Sequence, residues 1–263
     1  MKVEEGRLQS EETFDVVVVG SGFAGLAAAI EAGSSGATGL VVEKNRSTGG
    51  NSRISDGGIA APCTDIQEKY GIKDSKQLFS DDIMRSGLDR NHARLVEVLV
   101  EQAEKAFIWS RDVLGVQYLD RIDIFGGHSV PRCYTAEKVT GGTIINAMLS
   151  RLREASIEVR TGTSFIRLLQ DGEGRCAGAE LQSAESGNSY TVAARRGVVL
   201  AAGGYGADVA FRSIQDPRLD ASVDTTNRPT ATAEVLKGIL KLGGQPVQLE
   251  SIQLGPWASP DEK

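Results

Sequence analysis

Short apolar runs alternate with a helical pattern at the start of the chain. Residues 14–20 read Phe-Asp-Val-Val-Val-Val-Gly, a β-branched run typical of a strand buried on both faces of a parallel sheet. Strong helix formers follow, and Gly33 and Gly36 indicate where that helix ends. A second buried strand is predicted over 40–42 and ends at Glu43. The order strand, helix, strand predicts a βαβ unit.

The pattern changes after this unit. Residues 44–62 are rich in Gly, Ser and Asn and are predicted to form a loop, whereas 74–87 and 91–114 have helical spacing. The second of these helices is predicted to pack in the core through Leu95, Leu99, Ala103 and Phe107.

The remaining pattern predicts a helix, an antiparallel meander and a return to the parallel sheet. Thr140 offers an N-cap for a helix that reaches Leu152. Alternating stretches at 164–169, 177–181 and 190–193 predict the meander, 197–204 reads as a buried strand ending in glycines, and 233–242 reads as a final helix.

Composition and charge narrow the classes of function. The net charge of −6 is spread along the 263 residues, which argues against a nucleic-acid partner. Three cysteines without zinc-ligand spacing and two histidines predict no metal site. The polar residues 1–12 predict a disordered tail, not a secretion signal, and no run reaches the roughly 18 apolar residues of a membrane span. We therefore expect a cytoplasmic protein, with a periplasmic location left open if Met1 is not the natural start.

A nucleotide fingerprint lies between the first strand and its helix. Glycine makes up 31 of the 263 residues, against an average usage of about 7%. Gly20, Gly22 and Gly25 form a G-x-G-x-x-G string, in which Ala24 lies at the same turn. The three glycines allow a tight turn, close approach of a pyrophosphate and close helix packing. Glu43 follows at the end of strand two, where a carboxylate can accept from both ribose hydroxyls.

The loop after Glu43 distinguishes FAD from NAD. It contains Gly49-Gly50-Asn51-Ser52 and Asp56-Gly57-Gly58, two glycine pairs separated by polar residues. Such pairs are expected where backbone amides contact a flat ring and its ribityl chain. We therefore favour FAD, and an NAD-linked dehydrogenase and an ordinary surface turn remain the alternatives.

Four blocks of the chain, at 15–25, 43–59, 198–206 and 226–253, resemble the flavoprotein family of fumarate reductases and succinate dehydrogenases. The similarity is greatest to the soluble branch of flavocytochrome c and urocanate reductase-like enzymes. The resemblance implies a Rossmann-like α/β FAD-binding domain, with a parallel sheet plus an antiparallel β-meander, over residues 1–263. It also implies a cap domain after residue 263, so that the chain is an N-terminal portion without a catalytic residue and inactive alone.

The resemblance also assigns the cofactor-binding residues. They are Gly20, Gly22, Ala24, Gly25, Glu43, Lys44, Gly50, Asn51, Ser52, Asp56, Gly57, Gly58, Phe165, Ala202, Gly203, Thr232 and Glu234. Asn51 stands where succinate dehydrogenases carry the histidine that bonds covalently to FAD, which implies non-covalent FAD here. Glu234 departs from the Ala-Thr-Gly-Asp-Gly that is usual in the family.

The substrate implied by the resemblance is an α,β-unsaturated carboxylate, reduced by hydride from flavin N5. Gly255 replaces a histidine of the fumarate-reducing members, which leaves room for a urocanate- or aryl-acrylate-like acid in place of fumarate. Trp257 is interpreted either as stacking on a planar substrate or as simple packing. The electron donor is not indicated, and a non-catalytic FAD-binding module is a further alternative.

Overall fold

The computed structural model describes residues 12–155 and 157–255. The strands are β1 (Glu12–Val19), β2 (Gly39–Glu43), β3 (Gly58–Ala60), β4 (Cys133–Thr135), β5 (Ile157–Thr161), β6 (Thr163–Gln170), β7 (Cys176–Ser183) and β8 (Ser189–Leu200). The helices are α1 (Phe23–Ser34), α2 (Gly50–Ile54), α3 (Asp65–Lys69), α4 (Lys76–Ser86), α5 (Ala93–Ile108), α6 (Gly141–Arg153), α7 (Val209–Gln215) and α8 (Glu234–Leu240). None of these described helices has both the length and the apolar character that crossing a lipid bilayer requires.

The chain divides into two compact units. The first comprises residues 1–52 and 149–263, and the second comprises residues 53–148. Helices α2 and α6 each run across one of the two boundaries.

A six-stranded sheet forms the centre of the first unit. Its strand order is β5-β2-β1-β8-β7-β6. Strands β5, β2, β1 and β8 run parallel, and β7 and β6 continue the sheet in antiparallel pairing. The predicted parallel sheet with an antiparallel meander is therefore confirmed.

Both faces of the central strands are buried, as their β-branched runs predict. Val17 and Val18 of β1 are at most 1% exposed, and the same holds for Leu40 and Val41 of β2. Because successive side chains point to opposite faces of a sheet, this burial requires cover on each side. Helix α1 supplies part of that cover by burying Leu26.

Strand β8 is longer than its sequence pattern indicates. The patterns over 190–193 and 197–204 predict two separate strands, but β8 runs without a break over Ser189–Leu200. Its first part pairs antiparallel with β7, and its longer later part pairs parallel with β1. The charged pair Arg195 and Arg196 interrupts the apolar pattern, and the strand accommodates it by a register shift against β1.

Strand β1 begins two residues before the predicted start at Phe14. Glu12 pairs with Val192 of β8, and its carboxylate accepts a hydrogen bond from Arg160 Nη1 at 2.9 Å. Residues 1–11 of the predicted tail lie outside the described residues.

The second unit contains α3, α4, α5 and the antiparallel pair β3–β4. Helix α4 begins after Ser75, whose hydroxyl accepts from the Leu78 N–H at 3.0 Å. Strand β3 and helix α2 both fall within the stretch 44–62, so the prediction of a continuous loop there is wrong. Elements of three to five residues carry too few side chains to show a periodic pattern.

Helix α5 packs in the core through a face that includes the predicted Ala103 and Phe107 but not the predicted Leu95 and Leu99. Val96, Val100, Ala103 and Phe107 are buried. Leu95 is 62% exposed and Leu99 is 51% exposed, so the prediction that they face the core is wrong. The helix carries apolar side chains on both sides, and the 3.6-residue period alone does not select the side that packs.

A buried ion-pair cluster connects distant segments of the second unit. The Arg132 guanidinium donates to Asp74 at 2.7 Å and to Asp82 at 2.6 Å, and all three side chains are at most 1% exposed. Asp82 also accepts from the Ser129 N–H at 2.9 Å. Burial raises the pKa of Asp82, but hydrogen bonds from Ser129 and Arg132 outweigh it and hold the pKa well below its ordinary value.

Candidate nucleotide-binding site

The turn between β1 and α1 brings backbone segments into unusually close approach. Gly20 has φ of +105°, and a Cβ at this position would lie 2.3 Å from the carbonyl oxygen of Ala201. A Cβ on Gly25 would lie 1.9 Å from the carbonyl oxygen of Gly20. Both distances are far below van der Waals contact, so these two positions accept only glycine.

The N-terminus of α1 faces this turn without a side-chain cap. Gly22 occupies the N-cap position in an extended conformation, and the first turn holds no acidic residue. The Phe23 N–H donates to Ser52 Oγ at 3.1 Å. Because the first N–H groups of a helix have no partner within the helix and carry partial positive charge, this end favours an anion.

Glu43 is buried at the end of β2, and hydrogen bonds hold both of its carboxylate oxygens. Oε2 accepts from Ser21 Oγ at 2.5 Å and from the Ser21 N–H at 3.3 Å. Oε1 accepts from the Asn45 N–H at 2.9 Å and from Asn45 Nδ2 at 2.7 Å. A carboxylate can accept about four hydrogen bonds, so these bonds occupy all of the acceptor positions of Glu43. A ligand hydroxyl must replace one of the present donors.

Asn51 joins the second glycine loop to the chain segment near residue 228. Its Nδ2 donates to Asn227 Oδ1, and its Oδ1 accepts from the Arg228 N–H at 2.9 Å. Ser21 Oγ also accepts from the Gly49 N–H at 2.8 Å, which ties the start of this loop to the first turn. The two glycine-rich turns are thereby held in a fixed arrangement within the first unit.

An ion pair connects the end of β2 to the start of α8. Lys44 Nζ lies 3.2 Å from Glu234 Oε2 and donates to Thr232 Oγ1 at 2.8 Å. Burial raises the pKa of Glu234, but hydrogen bonds from Thr232 and Lys44 and the lysine charge outweigh it, so the pKa lies below its ordinary value. The lowered pKa favours the ionised form of Glu234, which pairs with Lys44.

These segments surround one cavity of about 430 Å³ within the first unit. The predicted cofactor residues that line it are Gly20, Gly22, Ala24, Glu43, Lys44, Gly50, Asn51, Ser52, Phe165, Ala202, Gly203, Thr232 and Glu234. Residues so distant in the sequence meet because the carboxyl ends of the parallel strands β1, β2 and β8 lie at the same edge of the sheet.

Some predicted site residues have other positions. Gly25 packs α1 against the turn beside Gly20 and does not line the cavity. Asp56, Gly57 and Gly58 belong to the second unit, where the Asp56 carboxylate accepts from the Gly58 N–H at 2.9 Å. Gly255 has no atom within 4 Å of a built Cβ, and Trp257 lies outside the described residues.

The structure adds lining residues that the sequence motifs do not identify. Ser21 and Asn45 flank predicted residues and hold Glu43, and Arg228 places a cation on the wall. A polar residue beside each motif is the signal that could have indicated Ser21 and Asn45. Arg228 lies within the fourth sequence block, but its sequence neighbours do not show whether a carboxylate pairs with it.

A dinucleotide fits an uncapped helix N-terminus, two glycine-rich turns and a buried acid at the end of the second strand. Together these features define a dinucleotide-binding α/β protein. The FAD binding domain family matches residues 15–263. The chain belongs to this family, and FAD is the cofactor that the family binds.

Individual relatives agree with the predicted resemblance. The chain is 37% identical to the acrylate reductase flavoprotein subunit of Shewanella woodyi, over 96% of this chain and 51% of that protein. It is 32% identical to the urocanate reductase of Eggerthella lenta, over 92% of this chain and 40% of that protein. The resemblance to this group of reductase flavoproteins is therefore confirmed. The chain spans about half or less of the length of these relatives.

Solved structures agree with the fold. The open conformation of a flavocytochrome c3 fumarate reductase superposes with a TM-score of 0.84 at 30% identity, covering 89% of this chain and 41% of that one. A 3-ketosteroid-Δ4-(5α)-dehydrogenase from Rhodococcus jostii RHA1 gives a TM-score of 0.83 at 22% identity, covering 90% of this chain and 55% of that one. The second likeness shows the fold alone, because one fold carries many reactions.

Proposed function

We propose that the cavity of the first unit binds FAD non-covalently and that the chain is the FAD-binding part of a reductase of an unsaturated carboxylate. The observation that carries this proposal is the meeting of the Gly20 turn, buried Glu43 and the Asn51 loop around one cavity. The family match and the named reductase relatives support it. The NAD-linked alternative has no such support.

Each wall of the cavity has a part in holding the cofactor. Glu43 accepts from the adenosine ribose hydroxyls, and the amides at the start of α1 bind the diphosphate. The backbone of Phe165 contacts the adenine half, with Ala202 and Gly203 beside it. Asn51 and Ser52 lie toward the flavin. We also propose flavin contacts for Asp56, Gly57 and Gly58 of the second unit.

The described part of the cavity wall offers no His, Cys or Tyr for a covalent bond to the flavin. Asn51 occupies the position of the family's bonding histidine, and its amide is held by Asn227 and Arg228. When the FAD-loaded chain is precipitated with acid, we expect all of the flavin absorbance in the supernatant. Flavin that remains in the washed pellet would contradict non-covalent binding.

The proposed substrate follows the chemistry of the named relatives, which reduce acrylate and urocanate. When bound and reduced, FAD supplies a hydride to the β-carbon of the acid while a proton is added to the neighbouring carbon. This chain's own residues bind and orient the cofactor. We propose that Gly255 leaves space for an acid bulkier than fumarate. We also propose that turnover needs the parts of the relatives that this chain does not match.

Anaerobic reoxidation tests the reductase proposal. The natural protein that carries this sequence is loaded with FAD, reduced with dithionite and mixed with acrylate, urocanate, an aryl acrylate or fumarate. We expect rapid return of absorbance near ~450 nm with an unsaturated acid, the oxidised flavin being the coloured state, and none with propionate as the saturated control. The 263-residue chain alone should bind FAD without this reaction. A coloured natural protein that no enoic acid reoxidises would favour a non-catalytic FAD-binding module.

Replacing Glu43 by glutamine should weaken binding of ADP about tenfold, because one hydrogen bond between a charged group and the ribose is lost. This loss of affinity is small for a hydrogen bond to a charged group, because the ribose hydroxyl replaces a donor that already bonds to Glu43, such as Asn45 Nδ2. Calorimetric titration should show a much smaller loss for 2′,3′-dideoxy-ADP. The exposed Glu31 on α1 gives the matched control Glu31→Gln. Equal losses for both nucleotides would contradict a ribose contact.

A further inference from the structure

Among the described residues, four charged side chains lie on the cavity wall, and three of them have partners in the chain. They are Glu43, Lys44, Arg228 and Glu234. Glu43 is held by Ser21 and Asn45, and Lys44 pairs with Glu234. Arg228 makes no ion pair with any described residue. Its guanidinium has one long hydrogen bond, from Nη1 to Ser47 Oγ at 3.5 Å, and its buried Nε has no partner among residues 12–155 and 157–255.

The other buried guanidinium groups among the described residues, those of Arg132 and Arg212, donate from all three of their nitrogens. Arg132 donates to two carboxylates. Arg212 donates to backbone carbonyls, including Leu219 O at 2.9 Å and Gly206 O at 2.8 Å. Buried polar atoms in native proteins are nearly always hydrogen-bonded, so an exception calls for a physical reason. The half-buried Arg228 is such an exception, and it lies on the wall of a binding cavity.

The backbone of Arg228 is held firmly although its side chain is not. The Arg228 N–H donates to Asn51 Oδ1 at 2.9 Å, and its carbonyl accepts from the Ala231 N–H at 2.9 Å. The Cα is therefore fixed beside the second glycine loop while the guanidinium keeps donors for a ligand. A ligand anion that draws the guanidinium toward the cavity would give Nε its missing partner.

The charge balance of the wall indicates which anion. Lys44 and Glu234 cancel each other, and Glu43 and Arg228 leave a net charge of zero. A dinucleotide brings a negatively charged diphosphate. Among the described wall groups, the N-terminus of α1 and Arg228 are the positive ones that no carboxylate neutralises. A planar guanidinium suits phosphate oxygens because it can donate two parallel hydrogen bonds.

We propose that Arg228 binds the diphosphate of the dinucleotide, a role that rests on the proposed function of the cavity. The arginine is thus a binding residue of the site, and its counter-ion is supplied by the cofactor. The motif glycines and the helix amides bind the same group through the backbone, whereas Arg228 supplies the full positive charge.

Calorimetric titration of the 263-residue chain with FAD, ADP, adenosine and riboflavin tests this role. Arg228→Gln should weaken binding of FAD and ADP about ten- to a hundredfold. Binding of adenosine and riboflavin, which lack the diphosphate, should change little. Arg228→Lys keeps the charge without the planar fork. Its affinity for FAD and ADP should lie between those of the unaltered chain and of Arg228→Gln. The matched control is Arg46→Gln, because Arg46 is exposed, lies in the adjoining loop and is not part of the cavity wall.

Salt dependence gives a second readout, which a purely structural role would not change. The affinity of the unaltered chain for ADP should fall as ionic strength rises, and Arg228→Gln should flatten that slope while Arg46→Gln should not. Equal losses for all four ligands, or a loss no greater than that of Arg46→Gln, would overturn the role of Arg228. Arg228→Lys binding no better than Arg228→Gln would also overturn it. An unaltered chain that binds none of the four would defeat the proposed function instead.

Discussion

Replacing Gly25 by alanine should lower the affinity of the chain for FAD by more than about a hundredfold, beyond the range of most single contacts. The added Cβ would lie 1.9 Å from the carbonyl oxygen of Gly20, so the turn and α1 must move apart. That movement displaces the amides proposed to bind the diphosphate. It should also lower the free energy of unfolding of the first unit by about 1–3 kcal/mol. Fluorescence titration with FAD and urea denaturation measure the two effects.

The control for Gly25→Ala is Gly172→Ala. Gly172 lies in an exposed turn of the same unit, and a Cβ built there has no atom within 4 Å. Gly172→Ala should leave FAD affinity unchanged and shift the urea midpoint little. If Gly25→Ala binds FAD as tightly as Gly172→Ala does, the close approach of α1 to the turn is not needed for the site.

Arg132→Met should lower the free energy of unfolding of the second unit by about 3–5 kcal/mol. The substitution removes the cation between Asp74 and Asp82, which leaves Asp74 buried without a counter-charge and Asp82 with only the exposed Arg85. Urea denaturation followed by circular dichroism measures the loss. The control is Arg85→Ala, because Arg85 also pairs with Asp82 but has a side chain that is 62% exposed. Exposed pairs contribute up to about 1 kcal/mol, so the control should be near neutral.

The stability of Arg132→Met and of the unaltered chain should change with pH in opposite directions. The pKa values of Asp74 and Asp82 lie below their ordinary value of 3.8 in the folded chain. Their contribution to stability is therefore present above about pH 4 and is lost as the pH falls through the lower folded values. Without Arg132, burial of Asp74 is opposed only by hydrogen bonds from Gln67 and Ser75, so the pKa of Asp74 should rise and the variant should become more stable as the pH falls from 7 toward 4. A variant that follows the same pH trend as the unaltered chain would contradict the burial of this cluster.

Local signals were sufficient to predict the parallel part of the fold. The sequence shows a strand buried on both faces, then a glycine turn, then a helix, without a gap between them. The β1–α1 unit and Glu43 could therefore be predicted from the sequence. The buried face of α5 could not be predicted in the same way, because Leu95 and Val96 are both apolar and only tertiary packing selects which of them is buried. Strand β8 was divided in two because Arg195 and Arg196 hide its continuity.

The candidate site was predicted in part for a similar reason. The glycines and Glu43 carry a pattern in the sequence itself, whereas the importance of Ser21 and Arg228 depends on partners far along the chain. Ser21 matters because it donates a hydrogen bond to Glu43. Arg228 matters because no described carboxylate pairs with it, whereas Lys44 pairs with Glu234. The roles of Asp56, Gly57, Gly58, Gly255 and Trp257 remain predictions from the resemblance.

The residues that line the cavity come partly before and partly after residues 53–148 in the sequence. This order has a consequence for biosynthesis. A ribosome delivers β1, the first glycine turn and Glu43 early, but the strand that pairs with β1 on its other side is β8. The second unit, with its own apolar clusters, is translated completely in between. Nascent chains therefore carry an unfinished nucleotide cradle until β8 has been made. Cofactor capture is a late event, and the open edge of β1 needs protection from aggregation until β8 emerges.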